Sequence, residues 1–363
     1  MVFSTFKLKS EFKTDIDAAN IPLIFVIIKI YIKNISSKDY KYYMKILAVQ
    51  NRMGIGDTVI FLPYIKALYK KFNSPISLLV KESSKANQYL YETNYVDEII
   101  HLDRDKKNNN RHSGFLGSLN LINDIKKYNF DKIFIFNSSL RFSLIAKFSG
   151  IPKVYQYPLF QKTKQHITET PKNFIKENLN IEVNEDPEIQ INNKLIIENI
   201  NRFNIKKDET NILLGIGGSG PTKRIPARIF LDVIEKISKI KKCKFFLATG
   251  KHKEEQTILN EILNSKFEDL CFPLDNFKIK DTLPIIKCCN LSICNDSSFG
   301  HLSAALGIKT ITLMADTPLI YGNYNSKMFP IIPDGEDTVK HNTLGKDRIN
   351  PQKIFDKVIE IIN

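Results

Sequence analysis

Three short stretches of this chain hold side chains whose types and spacing suit chemistry. The first is Asn51–Gly56 followed by Asp57, within KILAVQNRMGIGDTVIFLPYIKALYKKF (residues 45–72). Glycines at 54 and 56 allow a sharp turn and close backbone approach by a ligand. Asp57 stands where a helix should begin. It is either a cap that accepts a backbone N–H bond or a carboxylate at a cleft mouth, ready to take a proton. The second stretch, Gly215–Gly220, matches G-x-G-x-x-G and is followed by Thr222, Lys223 and Arg224. A glycine loop with free amides, a threonine hydroxyl and two cations before a helix N-terminus makes an anion cradle, because amides and helix dipole both favour phosphate. The third is Asn295-Asp296-Ser297-Ser298-Phe299-Gly300-His301. It brings a carboxylate, two hydroxyls and an imidazole to one strand tip, although Asp296 alone reads equally as an N-cap and His301 as a core histidine.

Several chemistries are disfavoured on these residues. A dinucleotide fingerprint needs the helix to follow its glycines at once and an acid at the tip of the next strand. Here Pro221–Ile225 intervenes, and the next strand ends in Ala248-Thr249-Gly250. A serine hydrolase built on Ser297 or Ser298 lacks the G-x-S-x-G elbow. Five cysteines form no C-x-x-C pair and no His spacing completes a zinc site, so reduced, buried thiols and no metal are expected. Asp103-Arg104-Asp105 has a D-x-D pattern but falls in a polar loop, where it reads as solvated.

The elements around these stretches alternate. Strands are expected at 46–49, 76–80, 98–102 and 132–136, with helices at 58–72, 84–92, 115–128 and 139–148. Pro63 should kink the first helix or shift its start. After a less regular stretch, 151–209, alternation restarts with strands at 212–216, 244–248, 291–294 and 310–313. Helices follow at 227–240, 253–263, 282–289 and 299–306, and a last one spans 351–362. Strand and helix alternating at this spacing imply parallel sheets covered on both faces, with ligands at the carboxyl ends of the strands. The division expected is an N-terminal extension (1–43), a first Rossmann-like domain with its connection (44–205), a second (206–350) and a C-terminal helix (351–363).

At 363 residues, two domains are the ordinary expectation. The net charge of +14 suits an anionic partner or a merely lysine-rich surface. It is diffuse, and no aromatic–basic motif marks a nucleic-acid binder. The apolar run 21–32 (IPLIFVIIKIYI) is too short to span a membrane as a helix. It reads as an element packed on the core, as an upstream extension before Met44, or as a peripheral membrane segment.

Taken together, GIGDTVIFLPYIKAL, GGSGPTKRIPARIF and LSICNDSSFGHLSAALGIKTITLMADTPLIYG resemble glycosyltransferase family 9, the lipopolysaccharide heptosyltransferases, in the family's order over residues 44–345. The resemblance implies an α/β GT-B fold, two Rossmann-like domains facing across a cleft. It implies inverting, metal-independent transfer of a sugar, usually from ADP-heptose, with no cofactor beyond that co-substrate. It implies Asp57 as catalytic base, and as donor-binding positions Ser219, Thr222, Lys223, Glu254, Asp296, Ser297, Ser298, Gly300 and His301. Ser297 and Ser298 depart from the usual D-T-G-x-x-H; the second adds a side chain where backbone approaches phosphate. Arg141 matches a basic position for an anionic glycolipid or glycan acceptor, and Lys106, Lys107, Arg111, Lys162 and Lys164 are further candidate contacts. A cytoplasmic enzyme, able to associate peripherally with the inner membrane, is the expected setting. The competing readings are a nucleotide-sugar-binding protein without transfer activity and an NAD-dependent enzyme.

Overall fold

The computed structural model describes residues 43–52, 54–104, 110–161, 165–206 and 208–362. By internal contacts the chain divides at Tyr43–Met44, and the fold lies in the unit from Met44 to Asn363.

Strand β1 (Ile46–Gln50) is buried at all five positions. Side chains along a strand point alternately to opposite faces, so such a strand must be covered on both. Ile46 and Ala48 enter one core cluster, while Leu47 and Val49 enter another. Helix α1 (Ile55–Phe72) follows, then β2 (Ile76–Lys81) and β3 (Val96–Leu102). Between those strands the helix expected over 84–92 is absent. Two single 3-10 turns, Glu82–Ser84 and Ala86–Gln88, stand there instead. Lys85 between them has φ 49°, a left-handed conformation that a continuous α-helix cannot contain. Helix α2 (Gly114–Lys126), β4 (Lys132–Ile135), α3 (Leu140–Phe148) and β5 (Lys153–Gln156) complete a parallel sheet of order β3-β2-β1-β4-β5.

Helix α1 starts three residues before the expected Thr58 and runs through Pro63. The proline has no N–H to donate to the Val59 carbonyl. The start is set by Gly54, extended at φ −93° and ψ 161°, whose N–H donates to Asp57 Oδ2 at 3.0 Å. Asp57 therefore lies inside the first turn and reaches back to cap it.

Helix α4 (Glu169–Leu179) returns to the first sheet, where Phe174 packs edge-on against Phe134, Phe136 and Tyr157. The chain then crosses over. Ile189 N–H donates to the Ala305 carbonyl at 2.9 Å, and α5 (Asn193–Arg202) follows.

The second half builds β6 (Thr210–Gly215), α6 (Ala227–Ser238), β7 (Cys243–Ala248), α7 (Lys253–Leu263), β8 (Cys271–Pro273) and α8 (Ile279–Lys287). It continues with β9 (Leu291–Asn295), α9 (Ser298–Ala305), β10 (Thr310–Leu313), α10 (Ile320–Asn323), β11 (Met328–Ile331) and α11 (Pro351–Ile362). The sheet order is β11-β10-β9-β6-β7-β8. In each half the strand order reverses beside the first strand, between β1 and β4 and between β6 and β9. Crevices open at such switch points, outside the carboxyl ends of the strands.

The halves are packed together. One apolar cluster runs from Leu62, Phe134 and Phe174 of the first half to Phe246, Leu302 and Ala305 of the second. At its edge the first turn of α1 meets α9, placing Gly56 directly against His301.

Candidate functional site

Between the carboxyl edges lies a cleft of about 980 Å³ lined by both halves. The first half supplies Gly54, Gly56 and Asp57 from the β1–α1 turn, with Ser83, Lys85 and Gln88 from the loop after β2. The second half faces them with Gly217–Ser219 and Lys223 after β6, Thr249–His252 after β7, and Asp296–Ser298 with His301 after β9.

Asp57 both caps a helix and lines the cleft. Its Oδ2 is taken by the Gly54 N–H. Its Oδ1 has no described donor within hydrogen-bonding distance; the Arg52 guanidinium stands 3.9 Å away. A quarter of the side chain is exposed. One oxygen fixes the carboxylate and the other stays open to accept a proton.

Across the cleft, Lys223 Nζ lies 2.6 Å from Asp296 Oδ2. Burial alone would raise the Asp296 carboxyl, but its neighbours, the Lys223 ammonium foremost, together outweigh burial and leave it below the usual carboxylate range. The pair ties the glycine loop to the tip of β9. Asn295 reinforces the tie, its Nδ2 donating to the Ile216 carbonyl at 2.8 Å. Arg224 turns away from the cleft, its Nε donating to the Gly218 carbonyl at 2.9 Å, and so shapes the loop from behind.

His301 is buried against the first half. A Cβ added to Gly56 would come 2.4 Å from its Cδ2 and 2.5 Å from its Nε2. On its other side Nδ1 meets Tyr324 Oη at 2.7 Å. Burial pushes the imidazole pKa down, only partly offset by Asp296 and Asp57, so the ring is neutral. Burial also pushes the Tyr324 hydroxyl up, keeping it a phenol able to donate to Nδ1.

Among the buried hydroxyls without a hydrogen-bond partner are Thr249 Oγ1 and Ser297 Oγ, and both residues line the cleft. Native interiors rarely leave such groups unpaired, and a polar ligand in the cleft would satisfy them. Ser298 also lines the cleft as the first residue of α9.

The remaining sequence-derived residues sit elsewhere. Thr222 lies behind the loop beside Asp316. Gly300 packs α9 onto β9, where a Cβ would lie 3.4 Å from Cys294 Cβ. The Glu254 side chain is 67% exposed, with Oε2 3.7 Å from Arg224. Its neighbour Glu255 is the acid that turns inward: it is buried, lines the cleft, and accepts the Gly218 N–H at 2.8 Å. The signal was available, since Glu255, Leu259 and Ile262 are the buried face of α7 at helical spacing. Arg141 is half-buried and committed to Ser118 Oγ and the His112 carbonyl. Arg111 chelates Asp124 at 2.9–3.0 Å. Neither arginine lines the cleft. Lys106, Lys107, Lys162 and Lys164 lie outside the described residues, as does the run 21–32.

Among the described residues no cluster of three or more His, Cys, Asp or Glu is placed to hold a metal ion. No helix there is long and apolar enough to cross a membrane.

A family model described as glycosyltransferase family 9 (heptosyltransferase) matches residues 118–329. The chain is 26% identical over 336 residues to lipooligosaccharide heptosyltransferase 2 of Campylobacter jejuni serotype O:2, covering 85% of this chain and 95% of that protein. It is 22% identical over 330 residues to lipopolysaccharide heptosyltransferase 1 of Campylobacter coli, covering 83% and 92%. Among solved structures, a family 9 glycosyl transferase from Veillonella parvula superposes with TM-score 0.70 at 18% identity, covering 88% of this chain and 97% of that one. The ADP-heptose heptosyltransferase II of Escherichia coli gives 0.65 at 16%, covering 88% and 98%. At such identities the structural likeness bears on the fold, which is GT-B.

Proposed function

The chain belongs to glycosyltransferase family 9, and from that membership we propose that it moves a heptose from ADP-heptose to a lipopolysaccharide core or related surface-glycan acceptor. It is a glycosyltransferase enzyme. The names of its relatives support the sugar, the donor and the acceptor class. The observation that carries the proposal is the placement of Asp57 and Lys223 on one cleft from opposite halves of the fold.

In the proposed reaction, Asp57 Oδ1 takes the proton of an acceptor hydroxyl as that oxygen attacks the anomeric carbon. Displacement occurs in line and in a single step, so the anomeric configuration inverts. The Gly217 and Gly218 N–H groups are held by the Ala248 carbonyl and Glu255 and fix the glycine loop. The departing diphosphate rests on the Ser219 N–H of that loop, the N-terminus of α9 and the Lys223 ammonium. Those groups suffice to take its charge without a metal. Asp296 holds Lys223 forward, and the unpaired Ser297 and Thr249 hydroxyls bind the donor. Glu255, in the first turn of α7, accepts from the nucleoside ribose in place of the exposed Glu254.

The test is a transfer assay with ADP-heptose and a heptose-deficient lipopolysaccharide acceptor, in chelator, with the product linkage assigned by NMR. An inverted heptoside and stoichiometric ADP are expected. Absence of turnover with ADP-heptose, alongside turnover with another nucleotide sugar, would replace the donor; retention of configuration would remove the single displacement.

A further inference from the structure

Helices α2 and α3 lie side by side on the face of the first sheet away from the second half. Their inner sides bury Leu121, Ile122, Phe142 and Ile145 against Leu47, Val49, Ile133 and Ile135. Arg141 and Ser118 bridge them at 2.8 Å. Their outer sides are not polar, as a solvent-facing helix surface should be. Phe115, Leu116 and Leu119 stand out from the first turns of α2, and Leu140, Leu144 and Phe148 form an i, i+4, i+8 stripe along α3. These six side chains are between 44% and 79% exposed. Apolar patches of this kind mark interaction surfaces.

Residues 114–127 and 140–148 carry Lys126, Lys127, Arg141 and Lys147 against one acid, Asp124, which is engaged by Arg111 and Lys127; Glu98 of β3 neighbours Tyr128 at the end of α2. Lys126 and Lys147 are exposed on the outer sides of the same two helices. A second copy of this chain fits poorly, since a two-fold interface would set one cationic face against its like.

We infer that the outer face of α2 and α3 docks on an anionic lipid surface. The apolar side chains enter the acyl boundary, and the lysines meet the headgroups. Both helices open at the carboxyl edge of the first sheet, the edge from which the Asp57 turn also emerges. Docking therefore holds the edge that carries the Asp57 turn near the bilayer, where a lipid-linked acceptor would be presented. Only this last consequence rests on the proposed function; the binding itself is measured without turnover.

The experiment is sedimentation of the full chain with phosphatidylglycerol–phosphatidylcholine vesicles and with pure phosphatidylcholine vesicles. Binding to the anionic vesicles is expected, weakened by salt. In the variants Phe115→Ser/Leu116→Ser and Leu144→Ser/Phe148→Ser it should fall about tenfold or more. Lys126→Glu/Lys147→Glu, which leaves the apolar groups alone, should lose the preference for anionic lipid. Ile240→Ser, at an exposed apolar position in the second half, should bind as the parent does. Unchanged binding in all three face variants, or equal binding to neutral vesicles, overturns the inference. So does a lipid-free oligomer that the same substitutions dissociate, which would assign the face to a second copy. ADP affinity, which reads the cleft, should be the same in every variant.

Discussion

Gly56 and His301 touch across the two halves of the fold so closely that no side chain fits between them: a Cβ on Gly56 would lie 2.4 Å from the imidazole. The first turn of α1 and the first turns of α9 are thereby locked at one spacing. That spacing sets how far the Asp57 carboxylate stands from Lys223 and the glycine loop across the cleft.

Gly56→Ala should therefore damage activity more than stability. The methyl must push His301 or the α1 turn aside, an overpacking cost of about 1–3 kcal/mol. Turnover should fall by at least about tenfold, because small misplacements of reacting groups are costly. Thermal unfolding and a transfer assay measure the two effects. Unchanged turnover would show that the halves need not be held at this distance.

Asp57→Asn should keep the cap and lose the base. The amide oxygen can still accept the Gly54 N–H, so the melting temperature should move little. Turnover should drop by about 10²–10⁴-fold, with ADP affinity retained in calorimetry. Residual turnover near that of the parent would remove Asp57 from the reaction.

Lys223→Ala removes the cation beside Asp296 and leaves that buried carboxylate unpaired. Stability should fall by about 1–3 kcal/mol, discounted because the lysine is one-quarter exposed. ADP binding should weaken by about tenfold or more. The double variant Lys223→Ala/Asp296→Asn should recover much of the stability but not the affinity. Recovery of both would mean that Lys223 serves only to neutralise Asp296.

Tyr324→Phe deletes the hydroxyl on His301 Nδ1 at a cost of about 1 kcal/mol. With the phenol donating to Nδ1, the ring carries its proton on Nε2, the nitrogen beside Gly56. Without it both tautomers are available, and kcat should fall with little change in KM. NMR of labelled imidazole nitrogens reads the tautomer directly. A parent enzyme already protonated on Nδ1 would count against this role.

Stability should decline on mild acidification, and His301 should be the first cause. Its folded pKa lies below the unfolded value of 6.5, so the unfolded chain takes up the proton more readily. The group's contribution is full above pH 6.5 and shrinks as pH falls below it. Asp296, lowered from 3.8, loses its contribution only in stronger acid. Melting temperature against pH should therefore be flatter for His301→Asn than for the parent between neutrality and pH 5. Parallel curves would assign the acid sensitivity to other groups.

By itself the sequence determined the local units that carry the site. The apolar run ILAV, the glycines at 54 and 56 and the amphipathic run behind them specify a strand, a turn and a helix over a few residues. The same holds for β6 with its glycine loop and for β9 with N-D-S-S-F-G-H. Periodicity and turn chemistry are local, so they are legible in one sequence. Edge strands β5, β8 and β11 are not legible in the sequence, because three or four residues at a sheet's margin carry too little alternation to register. Helix α1 starts three residues ahead of Thr58, because Asp57 caps from within the first turn and not from the residue before it. The pairings between distant residues depend on tertiary packing. Gly56 and His301 stand 245 positions apart, and no spacing rule links them. Tyr324 on His301, and Glu255 rather than Glu254 under the glycine loop, depend on how whole elements pack. The chain determines which groups are available locally; close packing of two sheets and their helices decides which of them face one another across the cleft.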